Sequence, residues 1–187
     1  MDEQPIKTPQ PNNVTIDQTT SGLVLTYRWF SPKFIFLALF CVIWDGFLVF
    51  WYAIALGGNS SWEMILFPVL HIALGIGLTY YTVAGFINRT VITVGQGRLS
   101  IEHGPMMWFG SWLLNSTEIS QIYVEEIVTR GKHGPSTSFQ LNAITQDGRK
   151  IKLMGGFESA DSARFIENKV EEWLGIHDRK VEGELQK

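Results

Sequence analysis

Two ionisable residues stand where such residues are rare. Asp45 lies midway along the apolar run 34–56, FIFLALFCVIWDGFLVFWYAIAL. His71 lies in a second run, 65–87, ILFPVLHIALGIGLTYYTVAGFI. A carboxyl in lipid is expensive, so it either marks a functional site or is neutralised by a hydrogen-bonding neighbour. Two roles stand for Asp45. One is proton or ion handling, which a lone carboxyl supports only if several hairpins oligomerise around it. The other is packing between helices. His71 is a poor partner, because the two differ in depth from the intervening turn by about 7 Å at the helical rise. Thr79 and Tyr80 lie nearer in depth to Asp45. Gly75, Gly77, Ala84 and Gly85 give the second run a small-residue side, suited to close approach by the first helix or by another copy.

A second group of candidates follows the apolar runs. Trp108, Phe109 and Trp112 belong to GPMMWFGSWLL, which is aromatic without a clean period. They serve either as domain core or as rings at the headgroup level, where amphipathic aromatics are favoured. Arg130, Lys132 and His133 form a basic loop, and the stretch 149–152 adds charge nearby, a pattern open to anionic lipid or to simple solvation at a hairpin tip.

Catalytic patterns are sparse. Glu125 and Glu126 are adjacent on an expected strand and point to opposite faces, so they cannot act as a pair. Gly95-Gln96-Gly97 lacks the strand–helix setting and third glycine of a dinucleotide site. The histidines at 71, 103, 133 and 177 have no metal-binding spacing, and the single cysteine, Cys41, permits neither a disulfide nor a cysteine cluster. A net charge of −3 gives no overall field for nucleic acid. The expectation is a protein that is not an enzyme and has no cofactor, metal or nucleic-acid partner.

Each apolar run has the roughly 20 residues that a helix needs to cross a bilayer core of about 30 Å. The first membrane helix is expected over 32–56, with Ser31-Pro32 suited to its start. The turn is 57–64, and the second helix is 65–88, with Pro68 tolerated in its first turn. The first run follows 33 mostly polar residues and is longer than a signal-peptide core, so it is expected to act as an anchor. Arg28 and Lys33 precede the hairpin, Arg89 and Arg98 follow it, and the turn has no basic residue. Both termini are therefore expected on the cytoplasmic side.

Outside the hairpin the period becomes two. Residues 1–13 hold three prolines and read as a disordered tail. Residues 14–30 read as a β-hairpin about DQTTSG, with Leu23, Leu25, Tyr27 and Trp29 on one face. Further strands are TVITV, RLSIEH, ISQIYVEEIVT, SFQLNAIT and RKIKLM. A helix over 160–174 starts at Ser159, ends at Gly175 and carries the stripe Ala163, Ile166, Val170, Trp173 and Leu174. Residues 177–187 form a charged tail.

The strands quoted above, followed by ADSARFIENKVEEWL, resemble small bacterial membrane proteins that carry a pleckstrin-homology-like domain. The resemblance covers 90–176. It implies an antiparallel barrel of about seven strands capped by the helix, so a membrane hairpin plus an α+β or all-β cytoplasmic domain. It also implies a bacterial plasma membrane and a binding or assembly role, with the bilayer and another membrane protein or a second copy as partners. Phosphoinositide binding does not carry over, because DQTTSG has no basic residue. The strands after 90 number about five, two short of seven. An antiparallel hairpin returns the chain to its starting side, and an isolated two-stranded hairpin is marginal in water. Residues 14–30 are thus expected to complete the same barrel, with the membrane hairpin inserted between its second and third strands.

Overall fold

The computed structural model describes residues 9–58, 61–131, 134–176, 181 and 183–185. The chain forms two compact units, one of residues 29–88 and one built from the segments on either side.

The helical unit contains α1 (Lys33–Leu56), α2 (Trp62–Leu66) and α3 (Val69–Ile87). Phe34, Cys41, Leu48 and Ala55 are the buried positions of α1, spaced by seven. Pro68, Gly75 and Thr82 repeat the spacing on the facing side. A seven-residue repeat is the seam of two supercoiling helices, here antiparallel. Other positions turn apolar side chains outwards, with Phe36, Val42 and Val49 exposed by 76%, 70% and 72%. Helices apolar on every side suit lipid rather than water. The segments Lys33–Leu56 and Trp62–Ile87, with mean hydropathies of 2.3 and 1.7, are long and apolar enough to span a membrane.

The second span departs from the uninterrupted helix expected over 65–88. It starts at Trp62 and breaks at Phe67 and Pro68. Proline has no N–H for the carbonyl four residues back and clashes with it. That carbonyl belongs to Met64, and the Trp51 indole N–H donates to it at 3.0 Å. The Tyr52 hydroxyl donates to the Ile65 carbonyl at 2.9 Å. The first helix therefore repairs the break in the second, satisfying carbonyls that the proline leaves without a helical partner.

The other unit contains β1 (Val14–Thr19), β2 (Gly22–Arg28), β3 (Arg89–Gly95), β4 (Arg98–Gly104), β5 (Trp112–Asn115), β6 (Ile119–Gly131), β7 (Gly134–Thr145), β8 (Lys150–Phe157) and α4 (Ala160–Leu174). One sheet has the order β1-β2-β3-β4-β5 and the other β6-β7-β8. Both are antiparallel. β2 pairs with β3 from Gly22↔Gly95 to Arg28↔Arg89. The helical unit is thus an insertion between the second and third strands of one sheet. The expected closed barrel of about seven strands is corrected: the described residues form two open sheets with eight strands. The extra strand is β5, from the stretch that showed no period.

Alternation builds the core. Leu23, Leu25 and Tyr27 of β2 and Ile92 and Val94 of β3 are buried, while Arg28 is exposed. Tyr27 meets Phe157 of β8 edge-on, with centroids 4.9 Å apart, tying one sheet to the other. α4 packs on β6 and β7 and reaches β2, β3 and β8. Ser159 accepts the Asp161 N–H at 3.2 Å at its start, and Gly175, at φ 66°, closes it in the left-handed region. Residues 1–8 of the expected loose tail lie outside the described residues. The following segment is fixed, since the Asn13 side chain accepts from Ser162 at 3.0 Å and its carbonyl accepts from Arg28 at 2.9 Å. Of the charged tail, Leu185 donates to the Val124 carbonyl at 2.8 Å along the β6 edge.

Candidate functional site

The polar cluster of the helical seam is built from α1 and α3. Asp45 is half-buried and turned towards α3, where the Thr79 hydroxyl donates to its Oδ2 at 2.8 Å. Gly75 makes the room, because a Cβ there would lie 2.9 Å from Asp45 Oδ1. One turn away Cys41 Sγ and Thr82 Oγ1 are 3.4 Å apart, and Thr82 also donates to its own helix at Leu78. Interhelical bonds of this kind hold helices together in lipid. Thr79, rather than Tyr80, reaches the carboxylate; Tyr80 lies on the exposed side. His71 stacks on Trp44 at 5.7 Å, and its carbonyl accepts the Trp44 indole N–H at 3.3 Å. His71 Nδ1 is shielded and has no hydrogen-bond partner among the described residues. The same rings continue from Phe40 through Trp44, His71, Phe67 and Trp51 to Phe47, a chain of contacts along one flank of the hairpin. Of the small residues, Gly75, Ala84 and Gly85 are buried, while Gly77 faces open space.

The aromatic stretch is unevenly buried. Trp108 and Trp112 are half-buried, and Trp112 opens β5 opposite Ile101. Phe109 projects fully. The loop between β4 and β5 is closed by His103, whose role has no signal in the histidine spacing. His103 Nδ1 meets Thr90 Oγ1 at 2.9 Å, and Nε2 meets the Gly110 carbonyl at 3.2 Å. Burial pushes its pKa down, and the bond to Gly110 opposes this in part. Gly110 takes φ +95°, which a side chain would strain.

Arg130 is exposed near the end of the β6–β7 ribbon, while Lys132 and His133 lie outside the described residues. The expected charge from 149–152 is not nearby. It starts the β8 side of the opposite turn, at the far end of the 12-residue β7. Arg149 is also paired there with Asp147 at 2.6 Å. Glu125 and Glu126 separate as expected. Glu126 is exposed, while Glu125 Oε2 accepts from Gln140 at 2.9 Å and Asn142 at 2.8 Å. α4 also buries two glutamates outside the expected stripe, Glu167 and Glu171. Gln121 donates to Glu171 Oε1 at 2.9 Å. Their signal was their spacing of four from Ala163 and from each other, next to the apolar stripe.

Seam, clamped loop and ribbon define a chain whose apolar helical hairpin is inserted in an antiparallel two-sheet unit. No family model matches the chain, and no curated protein is significantly similar to it in sequence.

Proposed function

We propose that the protein is a non-enzymatic, membrane-anchored binding or assembly module. Its hairpin spans a bacterial plasma membrane twice with both termini cytoplasmic, and its two-sheet unit is a pleckstrin-homology-like domain on the cytoplasmic side. Two antiparallel sheets followed by one helix support that family reading. The observation that carries the function is the β6–β7 ribbon. From Ile127↔Ser138 to Gly131↔Gly134 it runs past the last residue pair that β7 makes with β8. Its strands there are largely exposed, Val128 by 53%, and pair only with each other among the described residues. Exposed strand edges accept another strand. The partner is then a strand of another membrane protein or of a second copy.

Cross-linking in native membranes, followed by purification in mild detergent, tests this reading. The expected result is a defined complex that Val128→Asp and Thr129→Pro weaken. A lone monomer with no cross-linked product overturns it. For the topology, cysteines replacing Ser61 and Ser136 should label from opposite sides of intact vesicles; labelling from one side rejects it. The alternative of proton or ion handling through Asp45 has less support, because Thr79 already engages the carboxylate. It would be favoured if Asp45→Asn abolished function while the ribbon variants did not.

A further inference from the structure

We infer that the loop between β4 and β5 is a lipid-seated anchor that dips into the headgroup layer of the bilayer. The inference rests on reading the two apolar helices as membrane spans. Met107 and Phe109 are 87% and 94% exposed, the highest values among the exposed large apolar side chains of the described residues. Exposed apolar groups mark an interaction or membrane site when they are gathered together, as these two are on one short loop. The exposure is built in, since His103 bridges Thr90 and Gly110 and fixes the base of the loop.

The strand register identifies the occupant. Arg28 pairs with Arg89, and Arg89 pairs with Gly104, the last residue of β4. Arg28 and Arg89 are the residues at which the chain leaves the sheet for the helices and returns from them. The loop therefore departs from the end of the sheet at which the chain enters the membrane. Asn88 alone separates α3 from β3, so Arg89 lies within about 8 Å of the end of that helix by covalent reach. The headgroup layer is itself about 5–8 Å deep on each side. Arg28 and Arg89 are exposed at the same end, as suits cations facing anionic headgroups. Aromatic and apolar side chains beside cations are the composition of a membrane interface. Towards the far end of the same sheet, at Gly22, Gly95 and Arg98, the most exposed large apolar side chain among the described residues is Leu113 on β5, at 65%, below both loop residues.

The test uses the full-length chain with Cys41→Ser, reconstituted in phosphatidylcholine–phosphatidylglycerol vesicles. A spin label is placed in turn at Phe109→Cys, Phe36→Cys and Arg98→Cys. Its collisions with oxygen, which concentrates in lipid, are compared with those of a polar nickel complex. The expected result is that the labels at 109 and 36 favour oxygen while that at 98 favours nickel. If 36 favours oxygen but 109 behaves like 98, the loop inference is wrong and the spans stand. If 36 favours nickel, the spans and the inference fall together. A label at 109 shielded from both reagents would seat the loop on protein, such as a second copy, and overturns lipid as the occupant.

Discussion

At the residue scale, the Asp45 carboxylate acts as an interhelical acceptor. Its position along the helix relative to Thr79 could be read from residue counting alone, because helical rise is constant along both helices. The room left by Gly75 could not, since it depends on rotation of one helix about its axis. Replacing Asp45 by leucine, Thr79 by valine, and both together should give a coupling of about 0.6–2 kcal/mol in reversible unfolding from mild detergent. Strict additivity would show that the bond contributes nothing. Tyr27 supplies a second expectation. Burial, then the charge of Glu158, pushes its pKa up to about 12 from 10.0. The folded state thus keeps its proton where the unfolded chain loses it. Its contribution to stability is complete below pH 10 and is lost as pH rises towards 12. Tyr27→Phe should move the alkaline unfolding transition, followed by circular dichroism, to higher pH. Tyr123, also raised by burial, should leave part of the transition in place.

At the scale of elements, what could be read from sequence was what is decided locally. The ends of α4 are set by Ser159 and Gly175, whose cap chemistry requires only adjacent backbone. The break at Pro68 is not decided locally, because its repair comes from Trp51 and Tyr52 on the other helix. β5 escaped because it is a short edge strand with alternating half-exposed and exposed residues, so burial imposed no strong period on it. The glycines of α3 likewise divide by partner. A Cβ on Gly85 would lie 2.1 Å from the Phe34 ring, whereas one on Gly77 would meet nothing within 4 Å. Gly85→Ala should therefore destabilise the hairpin by about 1–3 kcal/mol through overpacking, with partial rescue by Phe34→Leu. Gly77→Ala should be neutral or slightly stabilising. Equal effects at the two sites, measured by unfolding in detergent, would contradict the seam.

At the scale of the whole molecule, the helical unit is an insertion whose ends are neighbours. Trp29 donates to the Asn88 carbonyl at 3.2 Å, and Arg28 and Arg89 pair directly. Two residues suffice to connect antiparallel strands. Replacing residues 29–88 by Asn-Gly should thus leave a folded domain with the same β-rich circular dichroism and a cooperative thermal transition. A chain without a cooperative transition would mean that the sheet depends on the helices. The pairing of residues 14–28 with the later strands could be anticipated because an antiparallel pair of spans returns the chain to its starting side. The division into two open sheets could not, because closure depends on twist and edge register, which alternation leaves unspecified.

The β2–β3 register also determines how the molecule bears load. Tension that draws Trp29 and Asn88 apart acts across the ladder at its last rung and loads the hydrogen bonds one after another, as in opening a zipper. A force along the strands would instead load every rung at once. The inserted helices therefore address the central ladder of the sheet in its weakest mechanical direction. Modest spreading of the two helix ends would be felt first at Arg28 and Arg89, and the far rung at Gly22 and Gly95 would be the last to yield.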